Sequence, residues 1–175
     1  DFGYALETAG GICRALPQLA NEFWLLAGDV FAPSFAYSRA AYDKFAQSDK
    51  LAHIWLVPNP PHNPRGDFTL LPDGHLLSCT PHPEEIAETG DAGSRLTFAG
   101  IGVYRPSLFD DWRRIIGDAP GARDKQPRFK LAPLLRAAMG RDAVTGEYHP
   151  GGWADVGTPE RLATLDAELR AAEQA

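Results

Sequence analysis

The stretch that most constrains the fold is residues 23–30, Phe-Trp-Leu-Leu-Ala-Gly-Asp-Val. Five apolar residues run directly into Gly28 and Asp29. A short continuous apolar run of this kind is typical of a buried parallel strand, and the glycine ends it. Asp29 is therefore expected at the carboxyl end of a strand, where open α/β sheets bind their ligands. A carboxylate there suits Mg²⁺, which prefers oxygen ligands; the alternative is an Asp that only caps the next turn.

A second carboxylate, Asp155, lies between apolar neighbours shortly before a predicted helix start. That start is indicated by Thr158, a good N-cap, followed by Pro159 at the first helical position. Two separated carboxylates, each on the rim of a sheet, could share one metal ion. We therefore hypothesise that Asp29 and Asp155 meet in the folded chain.

Composition and charge limit the class of protein. The chain has 175 residues, 44% hydrophobic and 23% charged, which is ordinary for one globular domain. Its formal net charge of -6 argues against a nucleic-acid groove, which needs a basic patch, but leaves a locally held phosphate open. The sequence contains neither an apolar run of membrane-spanning length nor an opening signal peptide. Cys13 and Cys79 lie far apart outside any CxxC pattern, which predicts free thiols in a reducing, cytoplasmic compartment.

Strands and helices alternate along the chain. The apolar strand at 23–27 is followed by an amphipathic helix at 34–47 and by a second buried strand at 52–57. Further along, the sequence predicts a hairpin at 68–78, a strand at 96–104, helices at 106–116 and 130–139, strands at 144–148 and 152–156, and a final helix from 159. Strand, helix and strand form a βαβ pattern. The predicted fold class is α/β, with a mixed, mostly parallel sheet in a single domain spanning residues 1–175.

Two predicted helix starts carry candidate ligand-binding residues. Gly10 and Gly11 precede an apolar, helix-favouring run, and a Gly-rich turn before a helix presents free amide groups to a ligand. Glu7 beside them could accept hydrogen bonds from a base or a sugar. Lys130 stands at the start of another predicted helix, where the helix dipole disfavours a cation unless an anion holds it. The alternatives are an ordinary turn, a solvated carboxylate and an exposed lysine.

A stiff loop and a glycine-containing strand add further candidates. Residues 58–68 carry four prolines, which forbid regular structure and make the loop a plausible ligand wall. At its end, Gly66 allows close approach of the backbone and Asp67 could bind sugar hydroxyls; the alternative is a solvated turn. In the strand at 96–104, Gly100 indicates close approach of a ligand or of another backbone segment.

Short motifs stand in a fixed order along the chain. They are Leu-Glu-Thr-Ala-Gly-Gly at 6–11, Gly-Asp-Val at 28–30, Gly-Asp-Phe at 66–68, Phe-Ala-Gly-Ile at 98–101 and Trp-Ala-Asp-Val-Gly-Thr at 153–158. This set, which covers nearly the whole chain, resembles the sugar-1-phosphate nucleotidyltransferases. Residues 129–135 and the 59–68 loop favour the subgroup that uses UTP and N-acetylmuramate-1-phosphate. Alternatives are a thymidylyl- or guanylyltransferase acting on glucose- or mannose-1-phosphate, and a non-catalytic sugar-nucleotide binding module.

The resemblance implies a Rossmann-like nucleotide-binding fold and a role for each candidate residue. The residues implied in catalysis and in binding Mg²⁺ are Asp29 and Asp155. Those implied along the nucleoside are Glu7, Gly10 and Gly11. Those implied near the sugar phosphate are Val30, Gly66, Asp67, Gly100 and Lys130. The implied reaction belongs to peptidoglycan recycling: a sugar-1-phosphate oxygen attacks the α-phosphorus of UTP, and pyrophosphate leaves.

One part of the family pattern does not occur in this sequence. The family carries a Gly-rich loop with an Arg, followed by a Pro-Lys motif, and this chain instead begins at Asp1 directly in a later motif. We therefore expect the chain to be the C-terminal portion of a sugar nucleotidyltransferase. Its partner would be an N-terminal segment of two βαβ-type units, on the order of 60 residues or more. Because that segment would cradle the triphosphate, we expect residues 1–175 alone to be inactive.

Overall fold

The structure of the protein is a computed structural model that describes residues 5–78, 93–119, 121–123 and 127–174. Cys79 and most of the polar 81–95 segment lie outside the described residues. The strands are β1 (Phe23–Leu26), β2 (Val30–Phe31), β3 (Ala52–Val57), β4 (Phe68–Leu70), β5 (Leu76–Ser78), β6 (Ser94–Tyr104), β7 (Val144–Tyr148) and β8 (Ala154–Asp155). The helices are α1 (Glu7–Ala15), α2 (Arg39–Ala46), α3 (Trp112–Ile116), α4 (Ala132–Met139) and α5 (Pro159–Glu173), with 3-10 turns at Leu16–Gln18 and Pro106–Phe109.

The long strand β6 organises the main sheet, whose order is β5-β4-β6-β3-β7 with β1 also paired to β6. Strand β3 lies along one side of β6. On the other side, β1 pairs with residues 101–104 and β4 pairs with residues 94–96. Strands β1 and β4 therefore share one flank of β6 and leave a gap beside residues 97–100. In this region the β3–β6 register shifts and Gly100 has a φ of 74°.

The strand directions differ from the prediction in one respect. The α/β class with a mixed sheet is confirmed, but among the described pairings only β3–β7 is parallel, so the predicted mostly parallel sheet is not found there. The sheet is mostly antiparallel because β6 lies between β1 and β3 and pairs antiparallel with both. Because both strands run antiparallel to β6, they point in the same direction, as a βαβ unit requires, without being neighbours.

The core covers both faces of the main sheet. Along β3, Ile54 and Leu56 belong to one apolar cluster, whereas Trp55 and Val57 belong to the other. This alternation follows the two-residue period of a strand, and burial on both faces explains why β3 reads as a continuous apolar run. The first cluster includes residues of α1, α3 and α4; the second includes Phe45 of α2.

Helix boundaries follow local capping. The Ser38 hydroxyl accepts a hydrogen bond from the backbone N–H of Ala41 at 3.1 Å, so α2 begins at Arg39 rather than at residue 34. Helix α4 begins after Lys130, so the dipole argument for an anion at this lysine is weaker than predicted. Within the described part of the chain, every helix is too short or too polar to cross a membrane.

Candidate active site

A cavity of about 420 Å³ lies in the gap between β1 and β4. Backbone hydrogen bonds close its two sides: the N–H of Ala27 donates to the Gly100 carbonyl, and that of Asp67 donates to the Leu96 carbonyl, each at 2.8 Å. The lining includes most of the predicted site residues, namely Glu7, Asp29, Val30, Asp67, Gly100, Lys130 and Asp155. The irregular geometry of β6 thus creates a ligand-sized space where sequence motifs from distant parts of the chain converge.

The carboxylates of Asp29 and Asp155 meet at this cavity, as hypothesised from the sequence. Strands β2 and β8 pair antiparallel, with Val30 opposite Asp155, and the N–H of Val156 donates to the Asp29 carbonyl at 2.8 Å. A β-carbon placed on Gly157 would lie 2.8 Å from Asp29 Oδ2 and 3.0 Å from Asp155 Oδ1. The two carboxylate oxygens therefore flank the same small space.

Arg161, His62 and one backbone N–H lie against Asp155, whose side chain is only 27% exposed. Its Oδ1 accepts hydrogen bonds from the backbone N–H of Gly157 at 2.8 Å and from Arg161 Nη2 at 2.9 Å. Its Oδ2 lies 3.5 Å from His62 Nε2. One oxygen of the carboxylate is thus held by two hydrogen bonds, and the other lies beside His62, a residue of the cavity lining.

The donor set fits a hard divalent cation. The described residues contain no cluster of three or more His, Cys, Asp and Glu side chains able to hold a metal ion by themselves. Mg²⁺ commonly binds through one or two carboxylates and completes its shell with water and substrate phosphates. Asp29 and Asp155, which both line the cavity, match that requirement.

A hydrogen-bond network fixes Asp67 at the opposite side of the cavity. Its Oδ1 accepts from Asn63 Nδ2 at 3.1 Å, and its Oδ2 accepts from the backbone N–H of Phe98 at 2.9 Å. Thr97 is buried, and its hydroxyl donates to Asn59 Oδ1 at 2.9 Å and accepts from Asn63 Nδ2 at 3.2 Å. The proline-rich loop is therefore anchored to β6 by side chains that also orient Asp67.

Two further cavity residues lie at the start of helices. Glu7, the first residue of α1, has a φ of 59°, a conformation that is uncommon for a residue other than glycine. Strained backbone of this kind costs about 1–3 kcal/mol and clusters at functional sites. Lys130 is exposed and lines the cavity just before α4. It brings a positive charge to a space otherwise rich in carboxylates.

Three predicted site residues do not line the cavity. The predicted Gly-rich turn is wrong, because Gly10 and Gly11 lie inside α1. A β-carbon on Gly10 would lie 2.4 Å from the Pro127 carbonyl oxygen, so this glycine serves close packing of the helix. Gly66 has a φ of 61°, and its β-carbon would lie 2.7 Å from Asn59 Oδ1. Ligand contacts of these glycines stay a prediction.

Several polar residues of the site were not found by sequence reasoning. His62 and Asn63 lie in the proline-rich loop, which was singled out only for Gly66 and Asp67. Arg161 lies in the final helix, whose sequence pattern is that of an ordinary surface helix. Each of them reaches the site through tertiary contacts. In the sequence, these residues are distinguished only by lying within a few positions of a predicted site carboxylate. Many surface residues share that property.

A larger cavity, of about 680 Å³, lies between α2 and the end of β7. Its lining includes Lys44, Trp55, Glu147 and His149, but none of the predicted site residues. By volume alone, this cavity would be the better candidate for the active site. The smaller one is the candidate active site because it holds both carboxylates and most of the motif residues.

Structural comparison shows the fold. A solved structure of a protein assigned as a glucose-1-phosphate thymidylyltransferase from Bacillus anthracis, in complex with sucrose, matches with a TM-score of 0.64 and 17% identity. The match covers 95% of this chain and 62% of that one. HddC from Yersinia pseudotuberculosis matches with a TM-score of 0.60 and 15% identity, over 95% of this chain and 64% of that one. These likenesses show that the chain has the α/β fold of these proteins.

Sequence comparison then gives a particular relative. The N-acetylmuramate alpha-1-phosphate uridylyltransferase of Neisseria meningitidis serogroup B is 41% identical over an alignment of 168 residues that covers 93% of this chain. The chain spans 62% of the length of that curated relative. No family model matches the chain. The resemblance to the sugar-1-phosphate nucleotidyltransferases that the motifs indicated is confirmed.

Proposed function

We propose that this chain carries the metal-binding carboxylates and the sugar-phosphate site of a uridylyltransferase. Its substrates would be UTP and N-acetylmuramate-1-phosphate, and its products UDP-N-acetylmuramate and pyrophosphate, in peptidoglycan recycling. The observation that carries the proposal is the meeting of Asp29 and Asp155 at a cavity between β1 and β4. The 41% identity to a uridylyltransferase supports the choice of base and sugar.

In this proposal Asp29 and Asp155 hold a Mg²⁺ ion. Asp29 would contribute a carboxylate from the turn after β1, and Asp155 would contribute Oδ2, since Oδ1 already accepts two hydrogen bonds. When bound, the ion supplies positive charge that offsets repulsion between phosphate groups and stabilises charge developing in the reaction.

The reaction needs no covalent intermediate with the protein. An oxygen of the sugar-1-phosphate forms a bond to the α-phosphorus of UTP, and the bond from that phosphorus to the β-phosphate oxygen breaks, releasing pyrophosphate. The task of the protein is to align the two anionic substrates and to neutralise their charge. Lys130 supplies positive charge near the sugar phosphate, and Asp67 orients sugar hydroxyls. Gly100 lines the same cavity and lets the Ala27 and Val30 side chains pack closely against β6.

Pyrophosphate release by the full-length gene product tests the proposal. UTP, dTTP and GTP are each paired with N-acetylmuramate-, glucose- and mannose-1-phosphate in the presence of Mg²⁺. We expect release with UTP and N-acetylmuramate-1-phosphate alone. Release with another pair would keep the reaction class and replace the substrates. No release with any pair would favour the non-catalytic binding module and overturn the proposal.

Matched variants then test the carboxylates. Asp29→Asn and Asp155→Asn should each reduce turnover by at least about a hundredfold, because a lost metal ligand removes several kcal/mol of transition-state stabilisation. Asp49→Asn is the control, since the Asp49 side chain is 91% exposed and lies outside the cavity. Equal loss in all three variants would point to folding rather than to metal binding.

A further inference from the structure

We propose that Arg161 is a positioning residue that fixes the Asp155 carboxylate so that Oδ2 alone is offered to the metal ion. The inference rests on the proposed function, in which Asp155 is a metal ligand. If the inference is correct, helix α5 contributes to the site through Arg161. The argument depends on which oxygen of Asp155 is held, by what, and from which element.

Arg161 reaches Asp155 from the first turn of α5. The Thr158 hydroxyl accepts a hydrogen bond from the backbone N–H of Arg161 at 3.3 Å, which fixes the start of the helix. From there the guanidinium extends back toward β8, and its Nη2 lies 2.9 Å from Asp155 Oδ1. The Arg161 side chain is 34% exposed, so most of its length is covered by protein.

The second donor to the same oxygen is the backbone of the intervening turn. The N–H of Gly157 donates to Asp155 Oδ1 at 2.8 Å. A carboxylate oxygen that accepts two hydrogen bonds has both of its lone-pair directions occupied. The other oxygen, Oδ2, lies beside His62 and the cavity. Arg161 and Gly157 therefore determine which oxygen of Asp155 stays available as a ligand.

Arg161 has two opposing effects on a cation at the site. Its charge repels the cation, and its hydrogen bond holds a ligand in place. The repulsion is reduced by solvent screening, because the Arg161 side chain is partly exposed. Loss of a group that orients a metal ligand typically lowers metal affinity or activity about 10- to 100-fold. Orientation therefore outweighs repulsion, and Arg161 favours metal binding on balance.

Direct metal binding tests this role independently of turnover. Binding of MnCl2, alone and with UTP, to the full-length gene product is measured by electron paramagnetic resonance for wild type, Arg161→Met, Arg161→Lys and Asp29→Asn. We expect Arg161→Met to weaken Mn²⁺ affinity about 10- to 100-fold. Arg161→Lys should retain most of the affinity, because a lysine can still donate to Oδ1 and keeps the charge.

A control variant and two kinetic constants distinguish loss of carboxylate positioning from a general loss of structure. Arg170→Met removes another arginine of α5, whose partner Asp166 is far from the cavity, and should leave Mn²⁺ affinity unchanged. In turnover assays, Arg161→Met should raise the Mg²⁺ concentration for half-maximal rate more than it lowers kcat at saturating Mg²⁺. If Arg161→Met does not fold, Arg161→Gln keeps a donor without the charge and should give an intermediate affinity.

The possible outcomes distinguish this inference from the proposed function. If wild type binds Mn²⁺ in a manner that depends on Asp29, and Arg161→Met binds it equally or more tightly, the role of Arg161 is overturned and the proposed function stands. If wild type shows no Asp29-dependent Mn²⁺ site, both are overturned. Weakened binding in Arg161→Met with recovery in Arg161→Lys supports the inference.

Discussion

Val30 and Asp155 face each other across the two-stranded β2–β8 sheet, and this pairing brings Asp29 beside the second carboxylate. The backbone hydrogen bond from Val156 to the Asp29 carbonyl, at 2.8 Å, extends the same contact. Backbone pairing, which does not depend on side-chain identity, thus sets the distance between two side chains from opposite ends of the chain. Gly157 lies against both carboxylates.

Substitution of Gly157 by alanine should disable the carboxylate pair with little effect on folding. A β-carbon there would lie 2.8 Å and 3.0 Å from the carboxylate oxygens of Asp29 and Asp155. These atoms are the ends of side chains that can rotate away, so the cost to folding is small, but the pair is lost as a joint ligand. We expect Gly157→Ala to reduce Mn²⁺ affinity at least about tenfold, as loss of ligand orientation does.

Gly152→Ala is the matched control, because the space around a β-carbon at Gly152 is open. Mn²⁺ titration and thermal unfolding of both variants check the prediction. Unchanged Mn²⁺ affinity in Gly157→Ala would contradict the placement of the metal between these carboxylates. A large drop in melting temperature would contradict the expected small cost to folding.

Local signals predicted much of the fold. The apolar run of β3, the hairpin β4–β5 and the Thr158 cap of α5 each depend on neighbouring residues, and each is found where the sequence placed it. The insertion of β6 between β1 and β3 is a tertiary event that no local pattern records. Gly10 illustrates another limit: a glycine required for packing against Pro127 has the same local appearance as one in a turn.

The candidate site, like the fold, could be predicted only where local sequence signals exist. Asp29 and Asp155 stand out because a carboxylate directly beside an apolar strand is unusual, and the structure brings them together. Arg161 and His62 approach Asp155 from a helix and from a loop whose patterns are those of ordinary surface segments. A contact between elements can be found only when the arrangement of those elements is known.

Thr97→Val should loosen the anchored loop. The hydroxyl of this buried residue donates to Asn59 Oδ1 and accepts from Asn63 Nδ2. Valine keeps the volume but removes both hydrogen bonds to these half-buried asparagines, which costs about 1–3 kcal/mol in total. Because Asn63 also holds Asp67, we expect a higher KM for the sugar-1-phosphate with a smaller change in kcat. Urea unfolding and steady-state kinetics measure the two effects.

Thr164→Val is the control for Thr97. The hydroxyl of Thr164 donates to the Glu160 carbonyl on the exposed helix α5, so its loss should change the free energy of unfolding by less than about 0.5 kcal/mol. Equal changes in the free energy of unfolding for the two variants would refute the importance of the loop network. An unchanged KM in Thr97→Val would show that Asp67 does not depend on it for its orientation.

His53 should make stability fall in acid. Burial, with a smaller contribution from the charge of Lys44, lowers the pKa of His53 to about 4 from 6.5. Its Nδ1 is 2.8 Å from Thr145 Oγ1 and its Nε2 is 3.8 Å from Glu147. Between these pH values the unfolded chain binds a proton that the folded chain does not, so the free energy of unfolding rises with pH. The full difference is about 3 kcal/mol, present above pH 6.5 and lost as pH falls toward 4.

Comparison with His53→Gln isolates this contribution. Urea denaturation of both proteins at several pH values between 4 and 7.5 gives the free energy of unfolding of each. We expect the wild-type value to fall more steeply than that of His53→Gln as the pH decreases below 6.5, since the variant lacks the titrating group. Parallel curves for the two proteins would show that His53 does not titrate differently in the folded and unfolded states.

Cys13 should be a slow nucleophile in the folded protein. Burial raises the pKa of this thiol to about 11 from 9.0, against a smaller opposing effect of the Arg113 charge. The thiolate is the reactive form, so the shift lowers the reactive fraction at pH 8 by about a hundredfold relative to the unfolded chain. Alkylation with iodoacetamide at pH 8, followed by mass spectrometry of the peptide that contains Cys13, should therefore be about a hundredfold slower in buffer than in urea. Comparable rates in the two conditions would contradict the placement of Cys13 against the core on α1.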